Sequence, residues 1–182
     1  MNKNKKKIFT IPNLLSLLRL CLIPLMMYTY LEKGSLAGTA LLLLLSGATD
    51  ILDGIIARKF NMVSDLGKAL DPVADKLTQI AMLYCLATAH PEIRVLLLLL
   101  VVKEVITGAM SLYSIKKTKE VQGADWHGKV TTVLLYVLII DRIVPGLLSA
   151  LLTLLCAGMM IFSMVLYWKR NWTSIKGKRN EK

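Results

Sequence analysis

Six apolar runs divide the chain, at about 11–31, 35–57, 72–89, 93–115, 129–144 and 147–168. A helix needs about 20 residues to cross the hydrocarbon of a bilayer, and most of these runs approach that length. Inside lipid every backbone polar group must find a partner, which a helix supplies from within its own segment. The expected fold is an all-α integral membrane protein, a single domain over residues 1–182 with six transmembrane helices. The fifth run is short, but Lys129 and Arg142 stand at its ends and their long side chains snorkel. Pro145-Gly146 marks a tight turn before the sixth. Residues before Ile11 form a short basic interfacial segment. Hydrophobic residues make up 55% of the chain, which argues against disorder and against a soluble globular fold.

Charge then orients the spans. The chain has 23 Lys and Arg against 12 Asp and Glu, a net charge of +11. Lys3, Lys5, Lys6 and Lys7 precede the first run, and Arg58, Lys59 and Lys68 follow the second. Lys116, Lys117 and Lys119 follow the fourth, and Lys169, Arg170, Lys176, Lys178, Arg179 and Lys182 fill the tail. The alternate loops hold little beyond Lys33, Arg94 and Arg142. Positive residues stay cytoplasmic, so both termini and the second and fourth loops are placed inside. The basic charge is thus expected to meet anionic membrane lipids rather than nucleic acid. A cleaved signal is disfavoured, because Arg19 and Pro24 interrupt the first apolar run ahead of Ser35-Leu36-Ala37.

Cys21, Cys85 and Cys156 lie far apart in apolar runs without metal-ligand spacing, and buried packing is expected of them. His90 and His127 sit at span ends with no second ligand at suitable spacing, Trp126 reads as an interfacial anchor, and Asp65 as a helix cap.

Acidic residues are costly in membranes and tend to mark function. Four of the 12 fall between positions 50 and 75. Asp50 and Asp53 are three apart near the cytoplasmic end of the second run, and Asp71 and Asp75 are four apart at the start of the third. Spacings of three and four put side chains on one helix face. Asp71-Pro72 reads as an N-cap and first helical residue, with Asp75 one turn deeper. Gly54 and Ala57 share the face of Asp50, Arg58 follows with its forked donors, and Gly67 falls in the next loop. Oxygen-rich clusters suit Mg²⁺ or Mn²⁺, and four carboxylates suffice for two such ions. The residues alone point to metal-dependent phosphoryl chemistry at the cytoplasmic face of a membrane.

The run from Asp50-Ile-Leu-Asp53-Gly54 through Ala57-Arg58, Gly67 and Asp71 to Asp75 resembles the DxxDGxxAR(x8)GxxxDxxxD signature of the CDP-alcohol phosphotransferases. Every signature position is present. The resemblance implies a six-helix integral membrane enzyme that works as a homodimer.

 

By that resemblance Asp50, Asp53, Asp71 and Asp75 hold two divalent ions, Mg²⁺ or Mn²⁺, and Asp75 also serves as the general base. Asp50, Asp53, Gly54, Ala57, Arg58, Gly67 and Asp71 line the nucleotide site. The implied reaction moves a phosphatidyl group from CDP-diacylglycerol to an alcohol and releases CMP. A bacterial inner membrane, with the site on its cytoplasmic side, is the implied location.

The flanks resemble the phosphatidylglycerophosphate synthase branch, whose acceptor is glycerol 3-phosphate. Ile11-Pro12-Asn13 with Arg19 and Pro24, the stretch from Gly67-Lys68 to Asp75-Lys76, Lys103-Glu104 with Thr107-Gly108, and Gly128-Lys129 with Thr132 all resemble that branch. Lys103, Lys129 and Thr132 are the acceptor-site candidates, although Lys103 also reads as pairing with a carboxylate on another helix or snorkelling. Lys103 stands where the branch has Arg, and Met110 and Thr131 stand where it has basic residues. Fewer cations keep a CMP-forming cardiolipin synthase, with phosphatidylglycerol as acceptor, in contention. A small membrane cation transporter is the alternative from another class, but transporters place their ionisable groups nearer the midplane.

Overall fold

The computed structural model describes residues 10–60, 65–118, 126–144 and 148–177. They form six helices: α1 (Ile11–Leu31), α2 (Leu36–Lys59), α3 (Asp65–Ala89), α4 (Pro91–Thr118), α5 (Trp126–Ile143) and α6 (Ser149–Gly177). The basic segment before Thr10 and the Pro145-Gly146 turn lie outside the described residues, as do the side chains of Arg58, Asp65 and Lys68.

Local chemistry sets the helix starts. Thr10 caps α1 by accepting from the Asn13 N–H at 3.4 Å, with Pro12 in the first turn. Ser35 caps α2 by accepting from the Gly38 N–H at 3.2 Å. Between these helices Gly34 has φ 59°, a left-handed conformation that costs glycine no Cβ clash.

The third helix departs from expectation. It begins at Asp65 instead of residue 72, so Pro72 lies inside it and Asp71 is not its cap. Proline forgoes the hydrogen bond to the carbonyl four residues back, but the helix-forming residues Leu66, Ala69 and Leu70 carry the turn before it. Gly67 and Asp71, expected in or beside a loop, are therefore helical.

Two compact units divide the chain after Cys85. In the first, α1 packs along α2, and Leu22, Met26 and Leu43 are buried. In the second, α6 packs along both α4 and α5, and Leu96, Leu100, Leu135, Ile139 and Met160 are buried. A polar network ties the helix ends of this unit. Arg142 lies 3.0 Å from Glu92 and donates to the Thr153 hydroxyl at 3.2 Å, while Ser149 donates to Asp141 at 2.7 Å. Glu92 is held below the ordinary glutamate range, first by its own backbone N–H and then, against some desolvation, by Arg142 and His90.

Beside these apolar cores, many large apolar side chains face outward and several polar or charged ones are buried. Leu41, Leu44, Ile51, Leu98 and Leu154 are exposed, whereas Asn13, Ser16, Arg19, Thr49, Asp53, Gln79 and Lys103 are buried. Apolar side chains outside and polar ones inside suit a lipid surround. Ile11–Leu31, Leu36–Ala57 and Ser149–Arg170 are long and apolar enough to cross a membrane. The other three helices carry more ionisable side chains, among them Asp71, Asp75 and Lys76 on α3, Arg94, Lys103 and Glu104 on α4, and Lys129, Asp141 and Arg142 on α5. Cys85 and Cys156 are buried as expected, but Cys21 is exposed on α1; all three are free thiols.

Candidate active site

The first unit holds all four signature acids. Asp50 and Asp53 lie on α2 and Asp71 and Asp75 on α3, each pair within about one helical turn. Asp50 lies within electrostatic reach of Asp71 and Asp75, and Asp53 within reach of Asp71. The two helices thus bring the acids into one neighbourhood.

A cation from α1 joins them. Arg19 Nη1 lies 2.6 Å from Asp50 Oδ1, and Nη2 donates to Asp53 Oδ2 at 2.5 Å. The side chains of Arg19 and Asp53 are only 3% and 4% exposed, against 52% for Asp50. A charge so deeply buried is tolerable only when paired, and here one guanidinium serves two carboxylates. One turn earlier on α1, the Ser16 hydroxyl donates to Asp71 Oδ1 at 2.5 Å. Gln79, one turn beyond Asp75, donates from Nε2 to Asp75 Oδ2 at 3.0 Å.

Every acid of the signature therefore has a protein partner, and three of those partners were not assigned to the site from spacing. Ser16 is 55 residues from Asp71, and Arg19 is 34 residues from Asp53. Arg19 had one signal, a charge in the middle of an apolar run. Gly54 and Ala57 are half-buried on α2, and Gly67 is buried on α3. The Arg58 side chain lies outside the described residues.

Among the described residues, no three His, Cys, Asp or Glu side chains form a ready metal-ligand group. The donor set is nevertheless one that hard divalent cations take, carboxylate oxygens alone, and the Arg19 guanidinium already bridges two of these acids as a cation. By charge and donor type the four acids fit a divalent cation.

The acceptor-site candidates lie in the second unit. Lys103 is buried and its Nζ donates to Glu104 Oε1 at 2.7 Å. The expected partner on another helix is replaced by the adjacent residue, because a four-carbon side chain bends back far enough to reach it. Lys129 is exposed and Thr132 half-buried on α5. His127, expected only to end a span, is buried with Nδ1 2.9 Å from the Ser163 hydroxyl and its ring edge-on to Tyr167. Trp126 is exposed, as an interfacial anchor requires.

The model of the CDP-alcohol phosphatidyltransferase family matches residues 9–169. The chain belongs to that family. A CDP-diacylglycerol--glycerol-3-phosphate 3-phosphatidyltransferase of Bacillus subtilis (strain 168) is 30% identical to this CDP-alcohol phosphatidyltransferase over 191 residues, covering 92% of this chain and 98% of the relative. A cardiolipin synthase (CMP-forming) of Oryza sativa subsp. japonica is 30% identical over 192 residues, 91% of this chain and 58% of the relative. A cardiolipin synthase (CMP-forming) / mitochondrial hydrolase fusion protein of Schizosaccharomyces pombe (strain 972 / ATCC 24843) is 45% identical over 83 residues, 46% of this chain and 14% of the relative. The match thus spans less than two thirds of the length of the last two relatives. The four acids, Ser16, Arg19 and Gln79 all fall inside the family match.

Proposed function

We propose that this CDP-alcohol phosphatidyltransferase moves a phosphatidyl group from CDP-diacylglycerol to glycerol 3-phosphate, giving phosphatidylglycerophosphate and CMP. The observation that carries the reading is the gathering of Asp50, Asp53, Asp71 and Asp75 on α2 and α3, with Arg19 between the first two. The name and nearly full-length match of the Bacillus subtilis relative support this choice of acceptor.

The chain's own residues divide the work. Asp75 takes the proton of the acceptor hydroxyl as the oxygen attacks the lipid-side phosphorus and the bond to CMP breaks. Gln79 steadies Asp75 through its hydrogen bond. Ser16 and Arg19 hold Asp71, Asp50 and Asp53 in place. Gly54, Ala57, Arg58 and Gly67 line the cytidine nucleotide site. Asp50, Asp53, Asp71 and Asp75 would hold two divalent cations. Bound Mg²⁺ or Mn²⁺ supplies charge neutralisation of the diphosphate and stabilises the attacking and leaving oxygens. Lys103, Lys129 and Thr132 receive the acceptor's phosphate. In this reading six spans place both termini and the acids on the cytoplasmic side of a bacterial inner membrane, and the enzyme works as a homodimer.

A second reading is a CMP-forming cardiolipin synthase with phosphatidylglycerol as acceptor. The Lys103–Glu104 pair favours it, because a lysine already neutralised has less to offer a phosphate dianion. The test is one assay on protein reconstituted in vesicles with CDP-diacylglycerol and Mg²⁺. Glycerol 3-phosphate and phosphatidylglycerol are supplied separately, CMP is followed and the lipid product is identified. Phosphatidylglycerophosphate supports the first reading, cardiolipin the second, and no CMP with either acceptor refutes both.

A further inference from the structure

Gln79 is 0% exposed, and only half of its amide is satisfied by the described residues. Its Nε2 donates to Asp75 Oδ2 at 3.0 Å. An ionised carboxylate only accepts hydrogen bonds, which fixes the amide's orientation and leaves Oε1 as the other end. That oxygen is buried and accepts no hydrogen bond from the described residues. The Thr78 and Ser16 hydroxyls have other acceptors. Thr78 donates to the Ala74 carbonyl at 2.8 Å, and Ser16 faces Asp71 and the Pro12 carbonyl.

A buried carbonyl oxygen without a donor is destabilising, and beside a catalytic acid it marks a place for a ligand's donor. The ligand that meets Asp75 is an alcohol. An amide hydrogen-bonded to a carboxylate presents two acceptor oxygens side by side, one on each group. That arrangement suits two hydroxyls on adjacent carbons. We propose that Gln79 is a specificity-determining residue: its Oε1 accepts a hydrogen bond from a second hydroxyl of a vicinal-diol acceptor, beside the hydroxyl that Asp75 deprotonates. The proposal rests on the reading of Asp75 as the base. Both candidate acceptors, glycerol 3-phosphate and phosphatidylglycerol, carry such a neighbouring hydroxyl.

The test compares two acceptors that differ only in this hydroxyl, glycerol 3-phosphate and 3-hydroxypropyl phosphate. Where phosphatidylglycerol proves to be the acceptor, its counterpart is phosphatidyl-1,3-propanediol. The wild type is expected to favour the diol in kcat/KM by about tenfold or more, since a site built to bind a hydroxyl discriminates against the analogue without it. Gln79→Met is expected to bring that ratio close to one, mostly through a higher KM for the diol. Gln79→Asn, which keeps the amide but shortens its reach, should fall between them. Equal use of the two acceptors by the wild type overturns the proposal without any variant having to fold. An unchanged ratio in Gln79→Met overturns it as well. In both cases CMP release continues, so the phosphatidyltransferase reading survives; absence of CMP with every acceptor overturns both together.

Discussion

Replacing Arg19 by Met removes the cation that two carboxylates share. Asp53 bears most of the consequence, because its side chain is 4% exposed and 2.5 Å from the guanidinium. Breaking a buried pair by deleting one partner costs about 3–5 kcal/mol, because the surviving charge is left uncompensated. Asp50 is 52% exposed, so its pair with Arg19 adds about 0–1 kcal/mol. The Asp53 contribution dominates, and the expected loss is about 3–5 kcal/mol. It is read as the thermal unfolding of helix signal by circular dichroism, in detergent micelles and divalent-free buffer. For a chain of this size that corresponds to a fall in Tm of roughly 6–20 °C. Arg19→Lys, which keeps the charge but not the fork, is expected to lose less. Adding Asp53→Asn to Arg19→Met removes the stranded charge and should recover a large part of the loss. An Arg19→Met variant within about 1 kcal/mol of wild type would refute the buried-pair account. So would a double variant no more stable than the single one.

Other outcomes follow from the same geometry. Asp75→Asn is expected to abolish CMP release while CDP-diacylglycerol binding, measured by calorimetry, stays near wild type; unchanged turnover excludes Asp75 as the base. EDTA is expected to stop the reaction and Mg²⁺ or Mn²⁺ to restore it, and full activity in metal-free buffer contradicts the metal assignment. Glu92, held below its ordinary range when folded, contributes stability at neutral pH that fades as pH falls through that lowered value. The Glu92→Gln variant should therefore lose less stability than wild type between neutral and acid pH, and parallel Tm curves would contradict it. Gly38→Ala places a Cβ 2.9 Å from both Ser35 Oγ and Thr29 Cγ2, disturbing the α2 cap, and is expected to lower Tm by a few degrees.

The acids were legible because their chemistry is written in local spacing. Asp50 and Asp53 share a face through a three-residue step, Asp71 and Asp75 through a four-residue step, and both steps survive in α2 and α3. What holds those acids was harder to read. Arg19 and Ser16 meet partners 34 and 55 residues away, and no periodicity encodes which helix lies beside which. Gln79 sat at the right helical step from Asp75, but a neutral amide in an apolar run carries no charge to draw notice. The sequence puts the start of α3 too late, because Asp71-Pro72 is a good cap sequence and a proline inside a helix looks identical to one at its first turn. Lys103 was expected to look across to another helix, yet its flexible chain found Glu104 next to it.

In the proposed reaction an acceptor hydroxyl attacks the lipid-side phosphorus at these four acids. Oxygen-18 placed in the hydroxyls of glycerol 3-phosphate tests it, with CDP-diacylglycerol, Mg²⁺ and reconstituted protein, and both products read by mass spectrometry. Label is expected in phosphatidylglycerophosphate and not in CMP, with neither product from Asp75→Asn. Release of CMP without any labelled lipid, or equal turnover by Asp75→Asn, would contradict it.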